Sequence, residues 1–167
     1  IDHLDRILRS QLQRGAPDHL VARTRLNTYG PLLTLGRLDE AEAALQHARE
    51  VFEDHGDTAR LGKVLAALAT VEDERGHPDV ALNLERDALR LKYAASVGPA
   101  DIAASHHNYG NYATDKPQIA LAHHIAAGLL WSLTGSDLLG IAMTQIAEDL
   151  ATAPDTAPAS STFEVAA

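Results

Sequence analysis

Nine histidines in this chain of 167 residues are the first candidates for metal or acid–base chemistry. Two adjacent pairs stand out, His106-His107 and His123-His124. Neighbouring residues on a helix point about 100° apart, so neither pair can chelate one ion as residues four apart can. His106 could meet His124 across a helical hairpin with Asp101 nearby, but packed or solvated histidines are the favoured interpretation. We predict no metal site and no cofactor.

Signatures of catalysis are missing from the sequence. The chain has no cysteine, which excludes disulfides and thiolate nucleophiles. The motifs GxSxG, SxxK and HExxH are absent, and the eleven glycines are scattered along the chain and do not form a phosphate-binding loop. Carboxylate clusters such as Glu72-Asp73-Glu74 fall at polar positions of amphipathic helices. We therefore predict that these residues do not form an enzyme.

Composition and charge narrow the class of protein further. Alanine and leucine dominate, 46% of residues are hydrophobic and only 4% are aromatic, which favours one all-α domain with an aliphatic core. The net charge of −9 argues against nucleic-acid binding and against anionic membranes. No apolar run approaches the roughly 20 residues that a membrane span needs. We expect a cytoplasmic protein, and because it begins at Ile1 we expect a fragment or a processed form.

Eight helices are predicted between glycine and proline breaks. Asp39 and Glu42 are spaced as a capping box at the start of the third helix. The final residues are rich in Ala, Pro, Ser and Thr, so we predict a flexible tail over 152–167. The predicted helices cover residues 2–14, 18–35, 38–55, 58–75, 79–96, 100–113, 117–133 and 137–151.

Alanines recur in these helices with a fixed spacing. The members of each pair are seven residues apart, and successive pairs are offset by forty and thirty-nine residues; the pairs are Ala41 and Ala48, Ala81 and Ala88, and Ala120 and Ala127. A glycine lies five residues before the first alanine in two units, at Gly36 and Gly76. Small residues on one helix face allow an antiparallel helix to approach closely. Stacked helical pairs then bury each other's apolar sides, which predicts a right-handed superhelix with a concave inner surface.

Three segments resemble tetratricopeptide repeats: TYGPLLTLGRLDEAEAALQHAREVF, ALATVEDERGHPDVALNLERDALRL and NYGNYATDKPQIALAHHIAAGLL. The period near forty resembles the longer variant found in kinesin light chains and in bacterial multidomain regulatory proteins. The resemblance implies a half repeat at 1–14, repeats at 18–55, 58–96 and 100–133, and a capping helix at 137–151. Trp131 would pack against this cap, whose polar face would turn outward with Gln145, Glu148 and Asp149.

The same resemblance implies which residues line the groove, because the first helix of each pair faces the concave side. The groove residues implied are Arg23, Asn27, Lys63, Thr70, His107, Asn108 and Asn111. Asn27 and Asn108 occupy equivalent places, where an asparagine in peptide-binding members bonds the ligand backbone. Arg23 and Lys63 suit an acidic group. Ala67 occupies an asparagine place of the clamp that holds chaperone C-termini, so that ligand is not predicted.

Two functions remain open from the sequence. The first is a scaffold for protein–protein interaction, whose groove binds a peptide segment of a partner or of an upstream domain in a regulatory protein. The second is a structural domain that associates with copies of itself and leaves the groove unused. The chain also resembles the C-terminal sensor region of larger multidomain switch proteins.

Overall fold

The computed structural model describes residues 1–152, and these form eight helices without a strand. The predicted all-α class is confirmed, and most helix boundaries agree within one residue. The predicted tail lies outside the described residues except Thr152, which ends the last helix. In chain order the helices are α1 (Asp2–Gln13), α2 (Asp18–Thr34), α3 (Leu38–Asp54), α4 (Thr58–Glu74), α5 (Pro78–Ala94), α6 (Pro99–Tyr112), α7 (Pro117–Thr134) and α8 (Leu139–Thr152).

Glycines in the left-handed conformation reverse the chain between helices. Gly36 has φ +68° and Gly76 has φ +78°, a region that other residues enter only with strain. After α2, the Gly36 N–H donates to the Leu33 carbonyl at 2.8 Å and the Arg37 N–H donates to the Leu32 carbonyl at 2.9 Å. These bonds satisfy carbonyls at the helix end and hold the next helix antiparallel.

Helices that follow one another in the chain pack against one another, and α4 also contacts α2 and α6 directly. The helices α2, α4 and α6 therefore form one layer, and their hairpin partners α3, α5 and α7 form the other. This arrangement is a tetratricopeptide-like solenoid. No helix of the described part combines the length and the hydropathy required to cross a membrane.

The repeated alanines are buried, as their spacing predicts. The residues four positions after each of these alanines are also buried, in α3, α5 and α7 alike. Their side chains differ in polarity from one unit to the next. The first unit places Leu45 and Phe52 there. The second unit places Glu85 and Lys92 there, and the third places His124 and Trp131. The core of the stack is therefore apolar in the first unit and carries polar groups in the next two.

Two predicted details are wrong. Arg37 is the N-cap of α3 and no side chain caps it, so the capping box does not form. Asp39 and Glu42 instead form ion pairs with Arg75, the C-cap residue of α4, at 2.7 and 2.8 Å. The Arg75 guanidinium thus links the end of α4 to α3, and it binds the carboxylates that would otherwise be available to cap the N-terminus of α3.

The last helix turns only part of its predicted polar face outward: Glu148 is exposed, but Gln145 and Asp149 are partly buried. Asp149 lies inward against His124, while Met143 and Leu150 are more than half exposed. The expected packing of Trp131 is present, since it is buried in a cluster with Ala142. α8 covers the preceding helix but presents apolar residues of its own to solvent.

Candidate functional site

A cleft runs along the layer formed by α2, α4 and α6. One part of it has a volume of about 260 Å³ and an adjoining part has about 400 Å³. The two parts share Leu26, Asn27, Lys63 and Asp101, so they form one continuous cleft. Five of the seven groove residues predicted from the sequence line it, namely Arg23, Asn27, Lys63, Thr70 and Asn108.

Two asparagines contribute amides to opposite walls of the cleft. Asn27 lies on α2 and Asn108 lies on α6, with α4 between them. Neither side chain makes a hydrogen bond of normal geometry within residues 1–152, although Asn108 lies near the buried Glu85. Each amide can donate and accept, which matches the alternating N–H and C=O groups of a peptide backbone.

Charged residues lie along one side of the same cleft. Lys63 Nζ forms an ion pair with Asp101 at 2.9 Å, and both side chains are about half exposed. Arg60 is paired with Asp57, whereas Arg23 makes no ion pair or hydrogen bond within the described residues. Exposed pairs contribute little to stability, so a ligand can replace one partner at small cost.

Lys92 reaches the cleft from the second layer. Its side chain passes Gly62, where a Cβ would lie 3.0 Å from Lys92 Cγ. The ammonium donates to Ser105 Oγ at 2.5 Å and to the Asp101 carbonyl at 3.3 Å. Burial lowers the pKa of Lys92, and the negative charge of Glu85 opposes that shift. The amine is thus held beneath the cleft by α6.

Glu85 is fully buried below this floor. Neither of its carboxylate oxygens has a hydrogen-bond partner among the described residues, and it forms no ion pair with Lys92 there. Burial raises the pKa of Glu85, while the nearby Ser105, Lys92 and Asn108 favour its charged form. Contact at normal hydrogen-bond distance would be needed to offset the desolvation of the carboxylate, and the geometry does not provide it.

The structure does not bring His107 and Asn111 to the cleft, which corrects their predicted placement. The cleft face of α6 carries Asp101, Ala104 and Asn108. His107 packs instead against the His124 and Trp131 rings, each 5.4 Å away between centroids, and Asn111 Oδ1 lies 3.1 Å from His124 Nε2. Both residues therefore belong to the interface with α7. His107 points about 100° away from Asn108 around α6, and Asn111, near the end of α6, lies against His124 of α7.

Sequence reasoning missed Asp101 as a groove residue and missed both buried charges of α5. The sequence did contain an indication of these buried charges. Glu85 and Lys92 lie forty residues after Leu45 and Phe52, at the equivalent positions of the next repeat. A charge at a position that is apolar in the sister repeat indicates a polar contact across helices.

The histidines of α6 and α7 meet in a different pairing from the one considered above. His106 Nδ1 lies 3.1 Å from His123 Nδ1, and Tyr109 stacks on the His123 ring at 4.0 Å. Burial lowers the pKa of His123 to about 4, and the neighbouring His106 makes a smaller contribution in the same direction. The described residues contain no group of three or more side chains suited to hold a metal ion. This cluster is neutral packing between two helices.

A second polar contact fixes α8. His124 Nδ1 donates to Asp149 Oδ2 at 2.5 Å, and the imidazole is almost completely buried. The ring lies so close to Gly110 of α6 that a Cβ there would overlap it. His124 therefore links α6, α7 and α8, which explains why Asp149 turns inward.

These features define a class of protein: a stack of helical hairpins with a cleft along one of its two layers. Residues 32–94, which include α3, α4 and α5, match the family model described as tetratricopeptide repeat. The match is compatible with the longer kinesin-light-chain-like variant. Tetratricopeptide repeats generally mediate protein–protein interactions and are typically non-catalytic. Comparison with curated proteins finds no match.

Proposed function

We propose that the cleft of α2, α4 and α6 binds an extended peptide segment, contributed by a partner protein or by another domain of the same regulatory protein. The observation that carries the proposal is the pair of amides, Asn27 and Asn108, on facing walls of the cleft. The domain acts as a non-catalytic scaffold in this proposal.

The shape and the chemistry of the cleft suit a main chain. A strand-like segment rises about 3.3 Å per residue, so a few residues span the distance across three neighbouring helices. Its N–H and C=O groups lose water on entry and need partners of both kinds. Asparagine amides supply both, which makes their recognition of the backbone independent of peptide sequence.

Arginine and lysine determine the preferred side chains of the peptide. Arg23 has no partner within the described residues, and Lys63 has only the exposed Asp101. A carboxylate on the peptide would pair with Arg23 and compete with Asp101 for Lys63. We therefore propose that the bound segment contains an acidic residue.

A selection experiment tests this proposal. Random 12-residue peptides displayed on phage are selected on the chain, and the enriched peptides are measured by fluorescence anisotropy. The triple variant Asn27→Ala, Lys63→Ala, Asn108→Ala should weaken their binding at least about tenfold, since several bonds are removed.

A matched control replaces three exposed polar residues of the second layer by alanine, namely Gln46, Asn83 and Gln118. This control should leave the affinity unchanged. Equal binding by the cleft variant and the original chain, or a failure of the library to yield any peptide sensitive to the cleft variant, would refute the proposal.

A further inference from the structure

The outer face of α7 is an exposed apolar stripe. Ile125 is 42% exposed, Leu129 is 63% exposed and Leu133 is 81% exposed, and they follow one another at intervals of four. Ala122 and Ala126 continue the stripe toward the start of the helix. None of these residues lines the cleft.

The other two helices of the same layer are polar at five of the six equivalent positions. The repeat offsets of forty and thirty-nine residues identify the equivalents. On α3 the equivalents of the three large residues are Gln46, Glu50 and Asp54, and on α5 they are Arg86, Arg90 and Ala94. The apolar stripe is therefore a property of the third unit and not of the repeat. The exposure of the stripe does not result from the position of α7 near one end of the stack, because the outward side of this layer faces solvent in every unit.

The whole helix from Pro117 to Thr134 contains no Asp, Glu, Lys or Arg. A helix without charged residues that exposes a stripe of large apolar side chains is normally covered on that side. An anionic membrane is a poor cover, because no Lys or Arg follows Lys116 in the sequence to attract it. In a chain of net charge −9, this face is a place where two copies can approach without charge repulsion.

We propose that α7 pairs with α7 of a second copy, in an antiparallel, two-fold symmetric contact. The stripe has small side chains toward the start of α7, at Ala122 and Ala126, and large side chains toward its end, at Leu129 and Leu133. Two copies in opposite directions can therefore place large side chains of one against small side chains of the other. Antiparallel pairing puts Leu133 of each copy opposite Ala122, and Leu129 opposite Ala126, with the axis near residues 127 and 128. A parallel pair would oppose alanine to alanine and leave voids.

Disulfide trapping tests the geometry, because the chain has no cysteine of its own. Ala122 and Leu133 are eleven residues apart, about 16 Å along a helix, which is too far for a disulfide. The single variants Ala122→Cys and Leu133→Cys should each stay unlinked under mild oxidation. Mixed in equal amounts, they should form a covalent heterodimer. The matched pair on α3, Ala43→Cys mixed with Asp54→Cys, should not cross-link.

Cross-linking of either single variant alone would show a parallel pair and overturn the proposal. Equal cross-linking of the α3 pair, or none by the α7 pair, would also overturn it.

Sedimentation equilibrium of the 167-residue chain gives a second test that needs no cysteine. A concentration-dependent dimer is expected, and Leu129→Glu should raise its dissociation constant at least about tenfold by placing a charge in the contact. Leu150→Glu, at an equally exposed residue of α8 outside the stripe, should leave the constant unchanged. A monomer at all concentrations, or a dimer that is lost with Leu150→Glu and kept with Leu129→Glu, would contradict the proposal. Neither result bears on peptide capture by the cleft, whose residues these variants leave intact.

Discussion

Replacement of Glu85 by leucine should stabilise the protein. The carboxylate is fully buried and neither oxygen has a hydrogen-bond partner within the described residues. Leucine occupies the equivalent place in the first repeat, at Leu45, and has a similar volume. An unsatisfied buried polar group costs about 1–3 kcal/mol, and replacing it by an apolar residue of similar volume removes that cost.

The expected gain for Glu85→Leu is about 2 kcal/mol, below the upper end of this range because the buried Lys92 loses a nearby negative charge. For a chain of this size the gain corresponds to a rise in Tm of about 4–8 °C. The gain should also depend on pH. Burial raises the pKa of Glu85 above its ordinary 4.5, so the folded state resists ionisation that the unfolded state permits. Stability from this group is complete below pH 4.5 and is lost as the pH rises, which makes the gain largest at neutral pH.

Thermal unfolding followed by circular dichroism at pH 4 and pH 7 measures both effects. The reverse change, Leu45→Glu, is the matched control and should destabilise, since it introduces a buried carboxylate without a partner. A lower Tm for Glu85→Leu at neutral pH would refute the reasoning, because it would mean that the carboxylate is stabilised in place.

Three further results are expected from the contacts around α6 and α7. Gly110→Ala should lower the unfolding free energy by about 2–3 kcal/mol in urea denaturation, since its Cβ would overlap the His124 ring; an unchanged midpoint would show that the ring can move away. His123 has a pKa lowered to about 4 from 6.5, so its contribution to stability is present above pH 6.5 and lost toward pH 4. His123→Phe should reduce that acid loss by about 1 kcal/mol after solvent screening, and an equal loss in both proteins would contradict this. Truncation after Gly135 should expose Trp131, seen as a red shift of its fluorescence and a lower Tm; an unshifted spectrum would mean that α8 does not cover it.

The number and the bounds of the helices could be predicted from the sequence, because glycines with positive φ follow many helix ends and prolines stand at several helix starts. The alanine spacing was sufficient for the packing layers, since small residues at Ala41 and Ala81 have one physical use, the close approach of a neighbouring helix. Asn27 and Asn108 were found in the cleft because their equivalence follows from the repeat.

The remaining features depend on contacts between helices that composition does not reveal. Asp149 looks like a solvent-facing residue of an amphipathic helix, but it is satisfied by the buried His124. Asp39 and Glu42 match a capping box in spacing, but Arg75 from the next helix binds both. In each case a long-range partner competes successfully with the local one.

The central claim is that the concave cleft, and no other surface, holds the peptide. Two-dimensional ¹H–¹⁵N NMR of the side-chain amides of Asn27 and Asn108, recorded during titration with a selected 12-residue peptide, tests it most directly. The claim predicts that both amide pairs shift together and saturate with the affinity measured by anisotropy. Amides of Asn27 and Asn108 that stay unmoved while the peptide binds would contradict it.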